Sequence, residues 1–185
     1  KYSVLSICMA SILTACGGGS SSSPAPGGNG GGTTPPAPTL TGRAIDGPLA
    51  GATVTFATCE DEVITDGEGN FDVPTGCSGQ ITIEGGVDTI TSVPFNGQLK
   101  GITSSTGESI VSPLTTLVEN LGGDQTAIAA LATSLGLTVA QLTSDPMENK
   151  AVYEKAVAVQ MMLDEVSKNI DALGSDLTPA QISAT

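Results

Sequence analysis

The sequence contains no histidine and no tryptophan. Without histidine, neither a Ser-His-Asp triad nor a Cys-His nucleophile can form. Without tryptophan, the chain lacks the usual aromatic platform for stacking on a sugar ring. Paired carboxylates remain a way to hydrolyse a glycosidic bond, but the acidic residues fall in turns and on helix faces with no large cleft-forming fold around them. We therefore expect a protein that is not an enzyme, with a carboxylate-based hydrolase as the weakest alternative.

Basic residues are also scarce, since Lys and Arg together number 6 while Asp and Glu number 19. The formal net charge is −13, and every acidic residue follows Cys16. An acidic surface repels the phosphates of nucleic acids and anionic lipid headgroups. We therefore expect no nucleic acid partner, and no anionic lipid surface bound directly by the folded part of the chain.

The apolar run at the N terminus is too short to cross a membrane. Residues 4–15 would reach about 18 Å as a helix, whereas the core of a bilayer is about 30 Å thick. The length of the run, its small residues and the flanking Lys1 are typical of the apolar region of a secretory signal peptide. We therefore predict a signal peptide over residues 1–15.

The letters LTAC at residues 13–16 resemble the lipobox of bacterial lipoproteins. The resemblance implies cleavage before Cys16, a diacylglycerol on the Cys16 sulfur and an acyl chain such as palmitate on its new amino group. Two lipid signals anchor a protein stably. Gly17, rather than Asp, follows the cysteine, which implies the outer membrane. The alternative is a plain signal peptide with an incidental cysteine.

A linker follows the cysteine. Residues 17–38 consist of Gly, Ser, Thr, Asn, Pro and Ala, carry no charge and offer almost nothing to bury. A flexible chain of this length has a root-mean-square end-to-end distance of roughly 25 Å, which lifts a domain clear of lipid headgroups. We predict a disordered, lipidated tether over residues 16–38, and this tether favours the lipoprotein over an incidental cysteine.

Two of the four cysteines belong to the predicted folded part. Cys8 would leave with the signal peptide and Cys16 would be acylated, so Cys59 and Cys77 remain. We expect them to form a disulfide in an oxidising envelope, where chain entropy gives about 3 kcal/mol for the loop that they close. A two-cysteine metal site is the alternative, but it would need further soft ligands in a chain without histidine.

Residues 39–110 have the pattern of short β-strands. Apolar and polar residues alternate with period two over residues 52–57 and 80–84, between frequent turn signals. These features predict a small antiparallel β-sandwich. The letters GRAIDGPLAGATV at residues 42–54 and TDGEGNF at residues 65–71 resemble the pattern of carboxypeptidase-regulatory-like, or transthyretin-like, sandwich domains of bacterial surface proteins. The resemblance implies a stalk, spacer or binding domain without catalytic activity of its own.

Residues 111–185 have the pattern of helices. Capping side chains predict helix starts at Ser112, Asp124, Thr138 and Asp145, the last before a long helix. The apolar seam of that long helix comprises Val152, Ala156, Val159, Leu163, Val166, Ile170 and Leu173. We expect the seam to pack within the chain, because about three heptads are marginal for a coiled coil between chains. The letters VSPLTTL at residues 111–117 also resemble the start of a helical tail that follows such sandwich domains in envelope proteins.

Asp66, Glu68, Asn70 and Asp72 place oxygen-bearing side chains at alternate positions, as in a calcium-binding loop. A hairpin turn explains the same residues, because the intervening glycines permit positive φ and Asp and Asn bond to their own backbone. Relatives of the resembled domains often carry a longer insertion rich in Asp and Asn between these strands, and here the segment is short. We favour the turn and expect no cofactor, with calcium as the alternative.

The sequence thus predicts an α+β protein with a tether, a sandwich and three to four helices. We expect a non-enzymatic cell-envelope lipoprotein, tethered through Cys16, that serves in adhesion, as a spacer, or as a binding module for an envelope protein or a glycan. One alternative is a membrane anchor for a larger passenger domain beyond Thr185. The letters TPAQ at residues 178–181 have the capping signals of a further helix and predict that the chain continues.

Overall fold

The structure, a computed structural model, describes residues 39–172. The signal peptide, Cys16, the tether and the predicted helix start at residues 178–181 lie outside the described residues. The predicted α+β class is confirmed, because strands and helices occupy successive parts of the chain. The strands are β1 (Leu40–Ala44), β2 (Leu49–Ala50), β3 (Thr53–Phe56), β4 (Cys59–Ile64), β5 (Asn70–Val73), β6 (Gln80–Glu84), β7 (Val87–Asp88), β8 (Gln98–Ile102) and β9 (Ser109–Val111). The helices are α1 (Pro113–Asn120), α2 (Gln125–Leu135), α3 (Val139–Leu142) and α4 (Lys150–Ala172), with a 3-10 turn at Pro146–Glu148.

Two sheets enclose one apolar core. One sheet has the strand order β5-β1-β9 and the other β4-β3-β6-β8, while β2 and β7 pair with each other. Successive side chains of a strand point to opposite faces, so every second residue of β3 and β6 is buried between the sheets. The buried core comprises Ala44, Leu49, Ala52, Val54, Phe56, Phe71, Val73, Cys77, Ile81, Ile83, Phe95, Leu99 and Val111.

One strand pair departs from the expected antiparallel arrangement. β1 pairs with β5 antiparallel and with β9 parallel. β8 and β9 belong to different sheets, so the chain between them crosses the sandwich instead of forming a hairpin. The parallel strands β1 and β9 are joined through β2 to β8, since a tight turn cannot connect a parallel pair. The alternation of apolar residues predicts the faces of strands but not their direction.

The cross-strand pair of Gly42 and Phe71 explains part of the sequence motif shared by β1 and β5. The two residues face each other in the register of the pair. A Cβ atom at residue 42 would overlap the Phe71 ring. Glycine at this position therefore lets the ring lie over the backbone of β1, where it is 4% exposed. An aromatic residue that covers a glycine on a neighbouring strand also helps to fix the strand register.

Three of the four predicted helix starts are confirmed. The side chains of Ser112, Asp124 and Thr138 each accept a hydrogen bond from a backbone N–H group in the first turn of their helix. These N–H groups have no partner within the helix, so the caps stabilise the helix starts.

The fourth predicted start is wrong. Asp145 caps the 3-10 turn Pro146–Glu148, where its Oδ1 accepts from the Met147 N–H group at 2.7 Å. The long helix α4 begins after Asn149, whose Oδ1 accepts from the Ala151 N–H group at 3.0 Å. Asp and Asn both cap helices well. The two caps lie so close in sequence that the pattern predicts one helix start where the structure has a 3-10 turn followed by a helix.

The motif at residues 111–117 fastens α1 to the edge of the four-stranded sheet. Thr116 Oγ1 accepts from the Lys100 N–H group at 2.8 Å, and Thr115 Oγ1 donates to the Lys100 carbonyl at 2.6 Å. Lys100 lies in β8, the outer strand of that sheet. An unpaired strand edge invites aggregation, and the two buried threonine hydroxyl groups satisfy the Lys100 N–H and carbonyl groups of this edge. The motif therefore joins the helical region to the sandwich.

An ion pair forms a second link between the sandwich and the helical region. Arg43 Nη1 of β1 lies 2.9 Å from Asp145 Oδ2, and Asp145 is 8% exposed. Its other oxygen caps the 3-10 turn before α4. The carboxylate of Asp145 therefore fixes both the start of that turn and its position against β1.

The apolar seam of α4 packs within the chain over its first half, as predicted. The seam residues that pack with Leu114 of α1 are Val152, Ala156, Val159 and the partly buried Leu163. Further along, Val166 is 41% exposed, and the side chains of Ile170 and Leu173 lie outside the described part. Within residues 39–172, no helix combines the length and the apolar character needed to cross a bilayer.

Candidate functional site

The predicted disulfide between Cys59 and Cys77 is present, with a Cα–Cα distance of 5.4 Å. It joins the start of β4 to the loop after β5. The alternative of a two-cysteine metal site does not apply, because the two sulfurs are bonded to each other. The bridge closes a loop within the sandwich and leaves neither thiol free for chemistry.

The residues of the weak calcium candidate form the predicted turn between β4 and β5. Asp66 Oδ1 accepts from the N–H groups of Glu68 and Asn70, both at 2.8 Å, and Asp66 Oδ2 accepts from Asn70 Nδ2 at 3.0 Å. Hydrogen bonds from Asn70 and then Glu68 hold the pKa of Asp66 below its usual range. Asp72 lies further on, exposed in β5. The structure brings Asp66 and Asn70 together as turn partners.

A cavity of about 580 Å³ lies between one face of α4 and the segment that joins β7 to β8. Its polar lining includes Asp46, Asp88, Gln98, Gln160 and Asp164, and we call it the acidic groove. Small-molecule sites typically have volumes of about 300–1,000 Å³. The acidic groove is therefore the candidate functional site of the described part of the chain.

The helical wall of the acidic groove is one face of α4. Tyr153, Val157, Gln160, Asp164 and Lys168 line the groove, and residues three or four apart lie on one side of a helix. The packing of α4 against α1 fixes the part of this wall that adjoins the buried seam, whereas Asp164 and Lys168 lie beyond the packed half and are exposed. Side chains on a packed helix are held in place more firmly than side chains on a free loop.

The opposite wall is the segment from β7 to β8. Asp88 organises its first turn, because its Oδ1 accepts from the Ile90 N–H group at 2.8 Å and its carbonyl accepts from the Ser92 N–H group at 2.8 Å. Ser92 has a φ of 59°, in the left-handed region that residues other than glycine rarely adopt. The turn directs the chain toward Val93 and Phe95, which line the groove.

Asp46 is the most perturbed carboxyl group of the groove. It lies in the turn between β1 and β2. Its pKa is raised to about 7, first by burial and then by the negative charges of Asp164 and Asp88. Near neutral pH it is therefore present in both the protonated and the ionised form. The three carboxyl groups belong to separate elements, so only the folded chain brings them together.

Gly47 permits the approach of Asp88 to the Asp46 turn. A Cβ atom at residue 47 would overlap Asp88 Oδ1. Any other residue would push the Asp88 carboxylate away from the turn. The carboxylate would then lose the hydrogen bonds that it accepts from Ile90 and Thr91. The glycine of the DGP letters at residues 46–48 is thus required because it leaves space for the Asp88 carboxylate of the groove.

Two buried amide oxygens of the groove have no hydrogen-bond partner among the described residues, namely Oε1 of Gln98 and Oε1 of Gln160. Gln160 Nε2 donates to Asp164 Oδ1 at 2.8 Å, and Gln98 Nε2 donates to Glu84 Oε1 at 2.6 Å. These bonds fix the orientation of both amides, because an ionised carboxylate only accepts. A buried acceptor left unpaired costs about 1–3 kcal/mol, and neither oxygen has appreciable surface open to the groove.

The sequence pattern predicts none of the groove residues as a site. Asp46 enters it only as a turn residue, and Asp88, Gln98 and Asp164 have no motif around them. The one available signal was Gln160, an uncharged polar residue directly after Val159 of the apolar seam, which proves to be 8% exposed. A buried amide beside a packed seam needs a partner.

Comparisons with protein families, with curated proteins and with solved structures found no match for this chain. The resemblances to the lipobox and to carboxypeptidase-regulatory-like domains therefore stay predictions.

Proposed function

We propose that this chain is a lipid-anchored, non-enzymatic protein of the cell envelope that acts as a binding module, with the acidic groove as its binding site. The acidic groove is the observation that carries the proposal. It gathers the carboxyl groups of Asp46, Asp88 and Asp164 and the side chains of Gln98 and Gln160 around a cavity of about 580 Å³. Natural sequences depart from full internal satisfaction chiefly at functional sites, and a spacer has no need for such a cavity.

The anchoring part of the proposal rests on the sequence. The LTAC letters at residues 13–16 resemble a lipobox, and the uncharged linker after them is long enough to hold the sandwich clear of the outer membrane. An envelope protein or a glycan presented near that surface is the partner that such an anchor would make accessible. The acidic net charge disfavours a nucleic acid.

Membrane fractionation tests the anchor. Full-length chain expressed in a diderm bacterium should sediment with the outer membrane, and the Cys16→Ser variant should move to the soluble envelope fraction. Cys8→Ser is the matched control and should leave the distribution unchanged, because Cys8 precedes the predicted cleavage point. A Cys16→Ser chain that still sediments with membranes would contradict the lipid anchor.

A pair of substitutions on α4 tests the binding function. Val157 lines the groove and is partly buried, whereas the next residue, Ala158, is exposed and lies outside the lining. Val157→Phe should fill the groove and lower retention of the solubilised full chain on isolated envelope polymers by about tenfold, while Ala158→Phe should not. Equal retention of both variants would show that the groove is not the binding site.

A further inference from the structure

The segment between β7 and β8 contains the dipeptide Asn96-Gly97, and both residues line the acidic groove. The sequence has one other Asn-Gly dipeptide, at Asn29 in the predicted tether. An asparagine that precedes glycine can react with its own main chain. The reason is steric, because glycine has no Cβ atom to hinder the approach of its backbone nitrogen to the asparagine amide carbon. Within residues 39–172, Asn96 is the asparagine that meets this condition.

The side-chain amide of Asn96 is exposed and loosely held. Its Nδ2 group donates to the Pro94 carbonyl at 3.5 Å, which is longer than the distance of about 2.7–3.2 Å that is typical of an N–H···O bond. By contrast, the Asn70 amide donates within its turn at 3.0 Å, and the Asn149 side chain caps α4 at 3.0 Å. The amide carbon of Asn96 is therefore open to attack.

The backbone of Asn96 and Gly97 lies outside regular secondary structure, between two fixed points. On one side the Phe95 N–H group donates to the Gly86 carbonyl at 3.0 Å, and on the other side β8 begins at Gln98. The reacting residues belong to neither strand, so they need not leave a strand ladder before they react. Segments of this kind change conformation more readily than the interior of a strand.

We propose that Asn96 is a site of spontaneous deamidation, which replaces an amide in the wall of the acidic groove by a carboxylate. The Gly97 backbone nitrogen attacks Cγ of Asn96 and forms a cyclic imide, while the Cγ–Nδ2 bond breaks and ammonia leaves with the proton of the Gly97 N–H group. Water then opens either carbonyl of the ring, which yields aspartate or isoaspartate. The net reaction consumes one water molecule and releases one ammonia molecule, so it needs no oxidant or reductant.

Deamidation adds a negative charge to the groove. A carboxyl group at residue 96 has an ordinary pKa of about 3.9, so it is ionised at neutral pH. It joins the carboxyl groups of Asp46, Asp88 and Asp164 in the lining. A like charge disfavours ionisation of a nearby carboxyl group. The pKa of Asp46, which burial and then Asp164 and Asp88 already raise to about 7, therefore rises further.

Isoaspartate also lengthens the main chain. Its backbone passes through the former side-chain methylene, so one extra carbon atom stands between residue 96 and Gly97. Gly97 packs closely on Phe95, because a Cβ atom at residue 97 would lie 2.8 Å from the Phe95 ring. The longer chain shifts Gly97 relative to that ring and to Gln98 at the start of β8. Aspartate therefore changes the charge of the groove, and isoaspartate changes both its charge and its wall.

Peptide mapping of the aged full chain tests the reaction. Detergent-solubilised protein is kept at mildly alkaline pH until Asn29 has converted, and mass spectrometry then measures each asparagine. Asn96 should convert at least about tenfold faster than Asn70, whose next residue is a phenylalanine within β5. Electron-transfer fragmentation should find isoaspartate as well as aspartate at residue 96. An intact Asn96, or aspartate without isoaspartate, would overturn attack by the Gly97 nitrogen.

Matched variants connect the modification to the groove. Asn96→Gln keeps an amide but lengthens the side chain, so cyclisation would need a larger ring and residue 96 should stay unmodified. Asn29→Gln removes the other reactive dipeptide and should leave conversion of Asn96 unchanged. Asn96→Asp reproduces the added charge without the longer main chain, so comparison with the aged parent isolates the effect of isoaspartate.

Retention on isolated envelope polymers measures the consequence for binding, which rests on the binding function proposed above. The aged parent and aged Asn29→Gln should lose retention severalfold relative to fresh protein, whereas aged Asn96→Gln should keep it. Full retention by a parent whose Asn96 has converted would contradict an effect on the groove. If fresh protein is not retained but Asn96 still converts to both products, the proposed binding function is wrong and the modification site stands.

Discussion

Asp66 and Asp46 are both turn aspartates of the sandwich, yet their carboxyl groups are in opposite electrostatic states. Asp66 is exposed, and hydrogen bonds from Asn70 and Glu68 hold its pKa below the usual range. Asp46 is largely buried, and burial followed by the charges of Asp164 and Asp88 raises its pKa to about 7. Donors from its own turn stabilise the charge of Asp66, whereas the surroundings of Asp46 oppose its charge.

The difference shows that acidic residues close together in sequence need not form a site. The carboxylate of Asp66 accepts hydrogen bonds from its own turn, so its charge stabilises the turn. The acidic groove collects its carboxyl groups from a turn, a strand end and a helix, and leaves two buried amide oxygens unpaired. Perturbed carboxyl groups in a cleft are the better indicator of function.

Removal of the disulfide should have the largest effect on stability. It also tests whether the disulfide-bonded end of the sandwich and the acidic groove are independent. The double variant Cys59→Ala with Cys77→Ala should lose about 3 kcal/mol in urea unfolding, because the bridge closes a loop over a sequence separation of 18. The bridge lies at the β4 end of the sandwich, so retention of the full chain on envelope polymers should persist. Loss of that retention in a folded double variant would show that the disulfide-bonded end and the acidic groove are coupled.

Two glycine substitutions compare how tightly the Asp46 turn and the Asp66 turn are packed. Gly47→Ala should destabilise the protein by about 1–3 kcal/mol, because its Cβ atom would overlap the Asp88 carboxylate. Gly67→Ala, in the Asp66 turn, meets no atom within 4 Å and should stay within about 0.5 kcal/mol of the parent. Chemical denaturation of both variants measures the difference. Equal stabilities would mean that the Asp88 carboxylate does not lie against residue 47.

Asp46→Asn should stabilise the free protein at high pH. The folded pKa of Asp46, about 7, exceeds the ordinary value of 3.8, so the folded state binds the proton more tightly than the unfolded state. Stability is therefore lost as the pH rises from about 4 to about 7 and stays lower above that. The variant lacks this loss, so its Tm should exceed that of the parent by several degrees at pH 8 and match it near pH 4. A lower Tm at pH 8 would contradict the pKa.

Asp66→Asn should have the smallest effect, with the opposite sign. The pKa of Asp66 is lowered on folding, so its ionised form contributes stability above the ordinary value of 3.8, and that stability is lost as the pH falls through the folded pKa. The variant should melt slightly lower than the parent at pH 7, and the difference should vanish in strong acid. Scanning calorimetry across the pH range checks both trends.

Local chemistry made much of the fold predictable. Period-two alternation places Val54 and Ile83 on the inner faces of their sheets, and side-chain capping predicts the starts of α1, α2 and α3. The start of α4 was misplaced because Asp145 and Asn149 are both good caps and the pattern does not reveal the 3-10 turn between them. The parallel pairing of β9 with β1 was missed because the direction of β9 depends on how the chain passes to it from β8 in the other sheet. That passage leaves no local signal in the sequence.

The acidic groove could not be read from the sequence, because its residues come together only through tertiary packing. Asp46 and Asp164 are brought together by the docking of α4 beside the sandwich, which the Arg43–Asp145 ion pair and the threonines of α1 support. The raised pKa of Asp46 likewise comes from burial and from distant charges. The disulfide was predictable for a simpler reason, since elimination left one cysteine pair.

Carbon-13 NMR titration of the Asp46 carboxyl group, assigned by its loss in Asp46→Asn, tests the central claim most directly. In the free full chain the carboxyl group should titrate with a pKa of about 7. Asp164→Asn should lower that pKa, because it removes one of the negative charges that raise it. A pKa near 4 in the free protein, or a pKa of about 7 that Asp164→Asn leaves unchanged, would contradict the clustering of the three carboxyl groups in the acidic groove.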